Sequence, residues 1–133
     1  MPAEDWASRL GALYDRRAEA LSTGSAALLD GVYLPDSALL TADRDTVATL
    51  AAAGETLRGF APEVVSAAVL EEAPGERVTL RVVDRWPDYA VVPASDPAGP
   101  ALRPVAGRGE AEVRMTLAAT DAGWRIASAE RVA

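Results

Sequence analysis

The chain has 133 residues, a formal net charge of −7, 50% hydrophobic and 25% charged residues, and neither cysteine nor histidine. That length suits one domain, residues 1–133, with one core. The acidic balance opposes nucleic-acid binding, which needs a basic stripe, and the missing Cys and His remove disulfides, thiolate nucleophiles and the usual zinc and copper ligands.

All thirteen basic residues are Arg, and Lys, Asn and Gln are absent. With abundant Ala, Gly, Pro and Val, this is the usage expected of a high-GC bacterial genome. No apolar run reaches the roughly 18 residues of a membrane-spanning helix, so no direct membrane insertion is expected. Met1-Pro2-Ala3-Glu4-Asp5 lacks the basic and apolar regions of a signal peptide. A cytoplasmic protein is expected, or an extracytoplasmic one if the natural chain carries a leader or anchor. No Asp-rich loop of EF-hand spacing occurs, and nothing points to a metal or a cofactor.

Asp5 is placed to cap a first helix in which Trp6, Leu10, Leu13, Tyr14, Arg17 and Leu21 recur at helical spacing, with Gly24 as its stop. Ser25 is expected to cap a second, short helix from Ala26 to Gly31, with Leu28 and Leu29 as its apolar side. Val32-Tyr33-Leu34 predicts a brief strand ended by Pro35-Asp36, and Ser37 to Thr41 a second short strand. A third helix is expected to start at Asp43, bury Val47, Leu50 and Ala51, and end at Gly54. The first long strand spans Leu57 to Leu70, with Gly59 and Pro62 marking a bulge or an edge start. After the Pro74-Gly75 turn, Arg77 to Val92 alternates, with Val78, Leu80, Val82 and Asp84 on one face. Trp86-Pro87 must kink it, because proline cannot donate to a ladder. Residues 93–105 read as a mobile Pro/Gly-rich loop. Gly109 to Ala119 alternates cleanly, with Ala111, Val113, Met115 and Leu117 facing in. Asp121-Ala122-Gly123 predicts a hairpin turn into a last strand, Trp124 to Val132.

Helices followed by a meander predict an α+β fold: three N-terminal helices packed on an antiparallel sheet of four long strands plus one or two short ones. Trp6, Trp86 and Trp124 are expected to fill the core of so Ala-rich a domain. Arg81 and Arg85, on the face opposite Asp84, should form a solvated ladder with Glu110, Glu112 and Arg114.

Three short stretches carry a family likeness. They are Ala18-Glu19-Ala20-Leu21-Ser22-Thr23-Gly24-Ser25, the run from Leu29 through Tyr33-Leu34-Pro35-Asp36-Ser37, and Gly123-Trp124-Arg125-Ile126. In this order, over nearly the whole chain, they resemble the NTF2-like superfamily, including SnoaL-like proteins and ketosteroid isomerases. The chain also looks like bacterial members that occur as tails of membrane-anchored proteins. The resemblance implies a cystatin/NTF2-like cone, in which a curved sheet wraps the first helix around a conical pocket. Members use that pocket for isomerases, dehydratases, cyclases or nothing catalytic, so fold alone does not assign an activity.

Aligning the Gly24 and Tyr33 turns puts Thr41 where the isomerases carry their carboxylate base, and Arg17 where they carry a first-helix Tyr. A threonine cannot abstract a carbon-bound proton near neutral pH. The His–Asp route of dehydratase-like members lacks its His. An epoxide-hydrolase-like site lacks its Asn, and adjacent Asp84 and Arg85 point to opposite faces of their strand. Catalytic candidates are therefore Asp84, Asp43 and Tyr14, and the pocket candidates are Tyr14, Arg17, Tyr33, Asp84, Trp86 and Tyr89. Asp84 is the one acid that the pattern places inward; its other reading is an edge residue paired with Arg17 or exposed near the kink. Tyr14 reads equally as core, and Tyr89 as lining a pocket mouth or a subunit interface.

Three functions stay open. The first is a non-catalytic pocket or interaction domain that binds a small apolar ligand or a protein partner, self-associating as a homodimer through the sheet face. The second is an isomerase or cyclase with an Asp acid/base. The third is an extracytoplasmic accessory domain of a membrane-anchored protein.

Overall fold

The computed structural model describes residues 5–132. Helix α1 is Trp6–Thr23. Asp5 caps it, accepting from the Ser8 amide at 3.0 Å, and Gly24 ends it at φ 72°, a left-handed conformation that costs glycine little. Its inner side is Trp6, Leu10, Leu13, Tyr14, Ala20 and Leu21. A short 3-10 helix, Ala26–Gly31, follows, and Ser25 makes no side-chain cap bond to it. Tyr33 contributes only an isolated parallel bridge to Ile126 in place of the expected strand.

Helix α2 is Ala38–Ala52, capped by Ser37, whose hydroxyl accepts from the Leu39 amide at 3.2 Å. This overturns both the short strand expected at Ser37 to Thr41 and the helix start expected at Asp43. A serine cap ahead of Ala-Leu-Leu-Thr-Ala is a sufficient helix signal. The earlier start changes what Asp43 does. It falls on the buried side of the helix with Leu40 and Val47, three and four residues away, and is itself buried.

Seven strands follow, all paired antiparallel in two sheets. They are β1 Glu55–Arg58, β2 Glu63–Ala73, β3 Arg77–Trp86, β4 Tyr89–Pro93, β5 Arg103–Val105, β6 Arg108–Thr120 and β7 Gly123–Arg131. The larger sheet runs β2-β3-β6-β7 and the smaller β1-β4-β5. Two expected strands each split between the sheets. Gly59 to Pro62 separates β1 from β2, and Pro87-Asp88 separates β3 from β4, since each proline interrupts the donor ladder. The stretch read as a loop, 93–105, holds the end of β4 and all of β5. Between them the chain is tied back by Arg58, which donates to the carbonyls of Pro97 at 3.1 Å and Gly99 at 2.6 Å.

The inner face of the larger sheet presents Val78, Leu80, Val82 and Asp84 from β3, Met115 and Leu117 from β6, and Ile126 from β7, all buried. Leu10, Leu29 and Leu40 meet them from the helical side, fully shielded; each such leucine contributes roughly 2–3 kcal/mol of burial. Trp124 packs edge-on against Trp6 with ring centroids 4.9 Å apart. The outer face carries Arg81–Glu112 at 2.7 Å, Arg85 between Glu63 at 3.1 Å and Glu110 at 3.4 Å, and Arg114–Glu71 at 3.7 Å. These exposed pairs add at most about 1 kcal/mol each and keep that face polar. Strand β2 is a sheet edge with register shifts at Val64/Ser66 and Val69/Glu71, and Val65, Val69 and Leu70 on it are exposed; such bulges spoil an edge as a pairing template. Among the described residues no helix is long and apolar enough to cross a membrane.

Candidate functional site

Between the two helices and the inner face of the larger sheet lies a cavity of about 220 Å³. Much of its wall is apolar: Leu39 and Ala42 from α2, Trp86 from β3, Val113 and Met115 from β6, Ile126 and Ala129 from β7. The polar part of the wall consists of two sets of the same three residue types.

The first set centres on Asp84, which sheet alternation points inward. The Tyr14 hydroxyl donates to its Oδ2 at 2.5 Å, and the Arg108 Nη2 donates to its Oδ1. Arg108 opens β6 opposite Trp86, and its Nη1 donates to the backbone carbonyls of Asp84 at 3.2 Å and Gly109 at 3.0 Å. The guanidinium stacks on Trp86, 4.0 Å from the ring centroid, a contact that favours a desolvated cation. Gly107 makes this possible. A Cβ there would sit 2.5 Å from the Trp86 carbonyl oxygen and 2.6 Å from the Asp88 nitrogen, so only glycine lets β6 start so close to the β3 kink.

The second set centres on Asp43. Arg17 grips it with two bonds, Nε to Oδ2 at 2.6 Å and Nη2 to Oδ1 at 3.1 Å, and the Tyr33 hydroxyl donates to Oδ2 at 2.6 Å. Tyr14 and Arg17 stand three residues apart on α1, so one helix face supplies a member to each set. Arg17 also lies over the Phe60 ring at 5.4 Å. Among the described residues no buried side-chain nitrogen or oxygen lacks a hydrogen-bond partner.

Burial pushes the Tyr14 hydroxyl well above the ordinary phenol range, and its bond to Asp84 and the charge of that carboxylate push it the same way. Burial likewise raises Tyr33; the Arg17 charge opposes the shift, and the charge of Asp43 adds to it. Both phenols are therefore neutral donors, not bases or nucleophiles, at physiological pH. Burial disfavours the charge on Arg17, but its bonds to Asp43 and the nearby phenols outweigh that and raise its pKa above the usual value. It stays a cation. The cavity wall thus holds two carboxyl groups and two guanidinium groups matched in two internal pairs. Among the described residues no group of three or more acids converges as a metal site would require.

Tyr14, Arg17, Tyr33, Asp84 and Trp86 all line this cavity, and so does Asp43. Tyr89 does not: β4 has passed into the smaller sheet, and its ring packs on Phe60 with centroids 5.0 Å apart. Asp84 is not the one inward acid, since Asp43 is also buried and lines the same cavity, and its partner is Arg108, not Arg17. Thr41, aligned with the isomerase base, is exposed on α2 and outside the cavity wall. Arg108 escapes a reading of the sequence because it precedes the clean alternation of β6. Counting the β3–β6 register back past Ala111 would set Gly109 opposite Trp86; a register shift between Asp84 and Trp86 brings Arg108 there instead, and no local pattern marks it.

No protein-family model matches the chain, and no curated protein matches it significantly. Solved structures do resemble it. The intermembrane space region of the chloroplast protein ARC6 superposes with a TM-score of 0.61 at 16% identity, covering 99% of this chain and 99% of that one. Kfla4162 protein from Kribbella flavida superposes with a TM-score of 0.57 at 16% identity, covering 94% of this chain and 88% of that one. At such identity the likeness is one of fold.

Proposed function

We propose that this is a non-catalytic pocket domain of NTF2-like, conical architecture that binds a small apolar ligand. The observation that carries the reading is the state of the two cavity carboxylates. Each accepts from one arginine and one tyrosine. A general base needs a proton-accepting oxygen directed at its substrate, whereas these oxygens are engaged by cationic and phenolic donors. The apolar remainder of the wall offers burial to a hydrocarbon-like guest, the usual basis of small-molecule sites. The three family-like stretches support the NTF2-like assignment, as does α1 lying against the inner face of the larger sheet.

Toluene is a suitable first probe. Thermal unfolding of the wild type should shift upward with its concentration, as binding to the folded state alone requires. Ala129→Phe, which fills the cavity from β7, should abolish the shift. An equal shift in the filled variant, or none in either protein, overturns the reading. Turnover of a small substrate, lost in Asp84→Asn, would replace it with the isomerase reading.

A second reading concerns context. The likeness over nearly all of both chains to a region of a chloroplast protein that lies in an intermembrane space favours an extracytoplasmic accessory domain. Fractionation of producing cells tests it: recovery of the protein only in the cytoplasm counts against it.

A further inference from the structure

Resting on the pocket reading, the two guanidinium groups narrow the chemistry of the guest. We infer that the cavity takes a ring compound whose polar group is an oxygen acceptor, a carbonyl or a carboxylate, and that Nη1 of Arg17 is the donor that holds it.

The argument starts from where the polar hydrogens of the wall go. The hydroxyl hydrogens of Tyr14 and Tyr33 are both spent on carboxylates. A guanidinium carries five N–H groups in a rigid planar fork. Arg108 spends Nη1 on the carbonyls of Asp84 and Gly109, and one hydrogen of Nη2 on the Asp84 carboxylate. Arg17 spends Nε and one hydrogen of Nη2, both on Asp43. Among the described residues its Nη1 meets no acceptor, so Arg17 alone of the two keeps a whole nitrogen uncommitted.

Direction follows from the fork. Nε and the neighbouring Nη2 form one edge of the plane and grip Asp43 side-on, so Nη1 lies on the edge turned away from that carboxylate. It is not sealed in, because no buried side-chain nitrogen among the described residues lacks a partner. Arg17 lines the cavity with its side chain 28% exposed. A donor so placed bonds to water until a guest oxygen replaces it. A guest that reproduces that hydrogen bond keeps the affinity that a hydrocarbon in the same place forfeits.

Size comes from the volume. A dry apolar cavity of about 150 Å³ holds a benzene. At about 220 Å³ this one has room for a ring and a small substituent.

Ligand-observed NMR titration of the whole chain tests this with α-methylstyrene, acetophenone, benzoate and benzylammonium. The first three share one shape, a ring bearing a flat trigonal group, and only the second and third carry the oxygen acceptor. A hydrogen bond to a charged group corresponds to about tenfold or more in affinity, so acetophenone, benzoate or both should bind at least about tenfold more tightly than α-methylstyrene. Whichever of the two binds more tightly identifies the acceptor as carbonyl or carboxylate. The triple variant Arg17→Met, Tyr33→Phe, Asp43→Leu removes the second set as a unit and should erase the preference while the hydrocarbon still binds. Should it misfold, Arg17→Met with Asp43→Asn, which keeps an acceptor for Tyr33, repeats the test. A preference that survives in the folded variant overturns the assignment to Arg17. Benzylammonium binding as tightly as the better acceptor overturns the acceptor rule. So does equal binding of the first three probes; its loss in Ala42→Phe, which fills the cavity from α2, would leave the pocket standing. Binding of none of the first three overturns the pocket as well.

Discussion

Removing the Asp84 carboxylate tests how the polar wall is held together. Asp84→Ala leaves two groups without their acceptor: the Arg108 guanidinium, with its side chain 19% exposed, and the buried Tyr14 hydroxyl. Breaking a buried ion pair from one side costs about 3–5 kcal/mol. Arg108 retains some water contact and the face of Trp86, so the lower end applies, about 3 kcal/mol. For a urea slope of about 1.5 kcal/mol per molar, the unfolding midpoint falls by about 2 M. That is a large share of the roughly 5–15 kcal/mol that holds a domain folded. The compensated variant Tyr14→Phe, Asp84→Leu, Arg108→Met removes all three polar groups together. It should recover to within about 1 kcal/mol of the wild type, because apolar replacement of a whole buried pair is often neutral. Tryptophan fluorescence during urea unfolding reads both. A cost below about 1 kcal/mol for the single variant would show a solvent-screened pair. A triple variant no better than the single one would refute the account of uncompensated burial.

The raised phenols predict an alkaline limit. A group whose folded pKa lies above its unfolded value stabilises fully below the unfolded pKa, near 10 for tyrosine, and that stability is lost as pH rises through the folded value. With Tyr14 and Tyr33 both raised, stability should fall above about pH 10 by up to roughly 1.4 kcal/mol per pH unit for each phenol, and Tyr14→Phe should lessen the slope in alkaline urea titrations. Gly107→Ala should cost about 2 kcal/mol or more in urea, since its Cβ meets the backbone of Trp86 and Asp88, while Gly109→Ala, with nothing within 4 Å, should stay within about 0.5 kcal/mol. Ser37→Ala should cost about 1 kcal/mol by the same measurement, through loss of the α2 cap.

Several features are legible in the order of the amino acids. Helix α1, from its Asp5 cap to its Gly24 stop, follows from local periodicity and cap chemistry, which act within a few residues. The inward face of β3 and the charge ladder outside it follow from two-residue alternation, and so does the inward placement of Asp84. Other features are decided at a distance. The Pro87 break reads as a kink, but whether the chain resumes in the same sheet depends on a vacancy beside β1 that no local pattern records. Asp43 reads as the start of a helix until that helix is known to begin after Ser37, and then the same side chain turns inward.

Local order therefore settles the α+β class, the residue types left for chemistry, and an acid on an inward strand face. The partners of that acid are a matter of tertiary structure. Arg108 reaches Asp84 through strand register, and Arg17 reaches Asp43 through the packing of α1 beside α2. Tyr14 and Tyr33 arrive from a helix and a connecting segment, 70 and 10 residues from the carboxylates they serve. Charge pairing is a relation between surfaces brought together by the fold, so a pattern that lists charges along a chain contains the groups but not their matching.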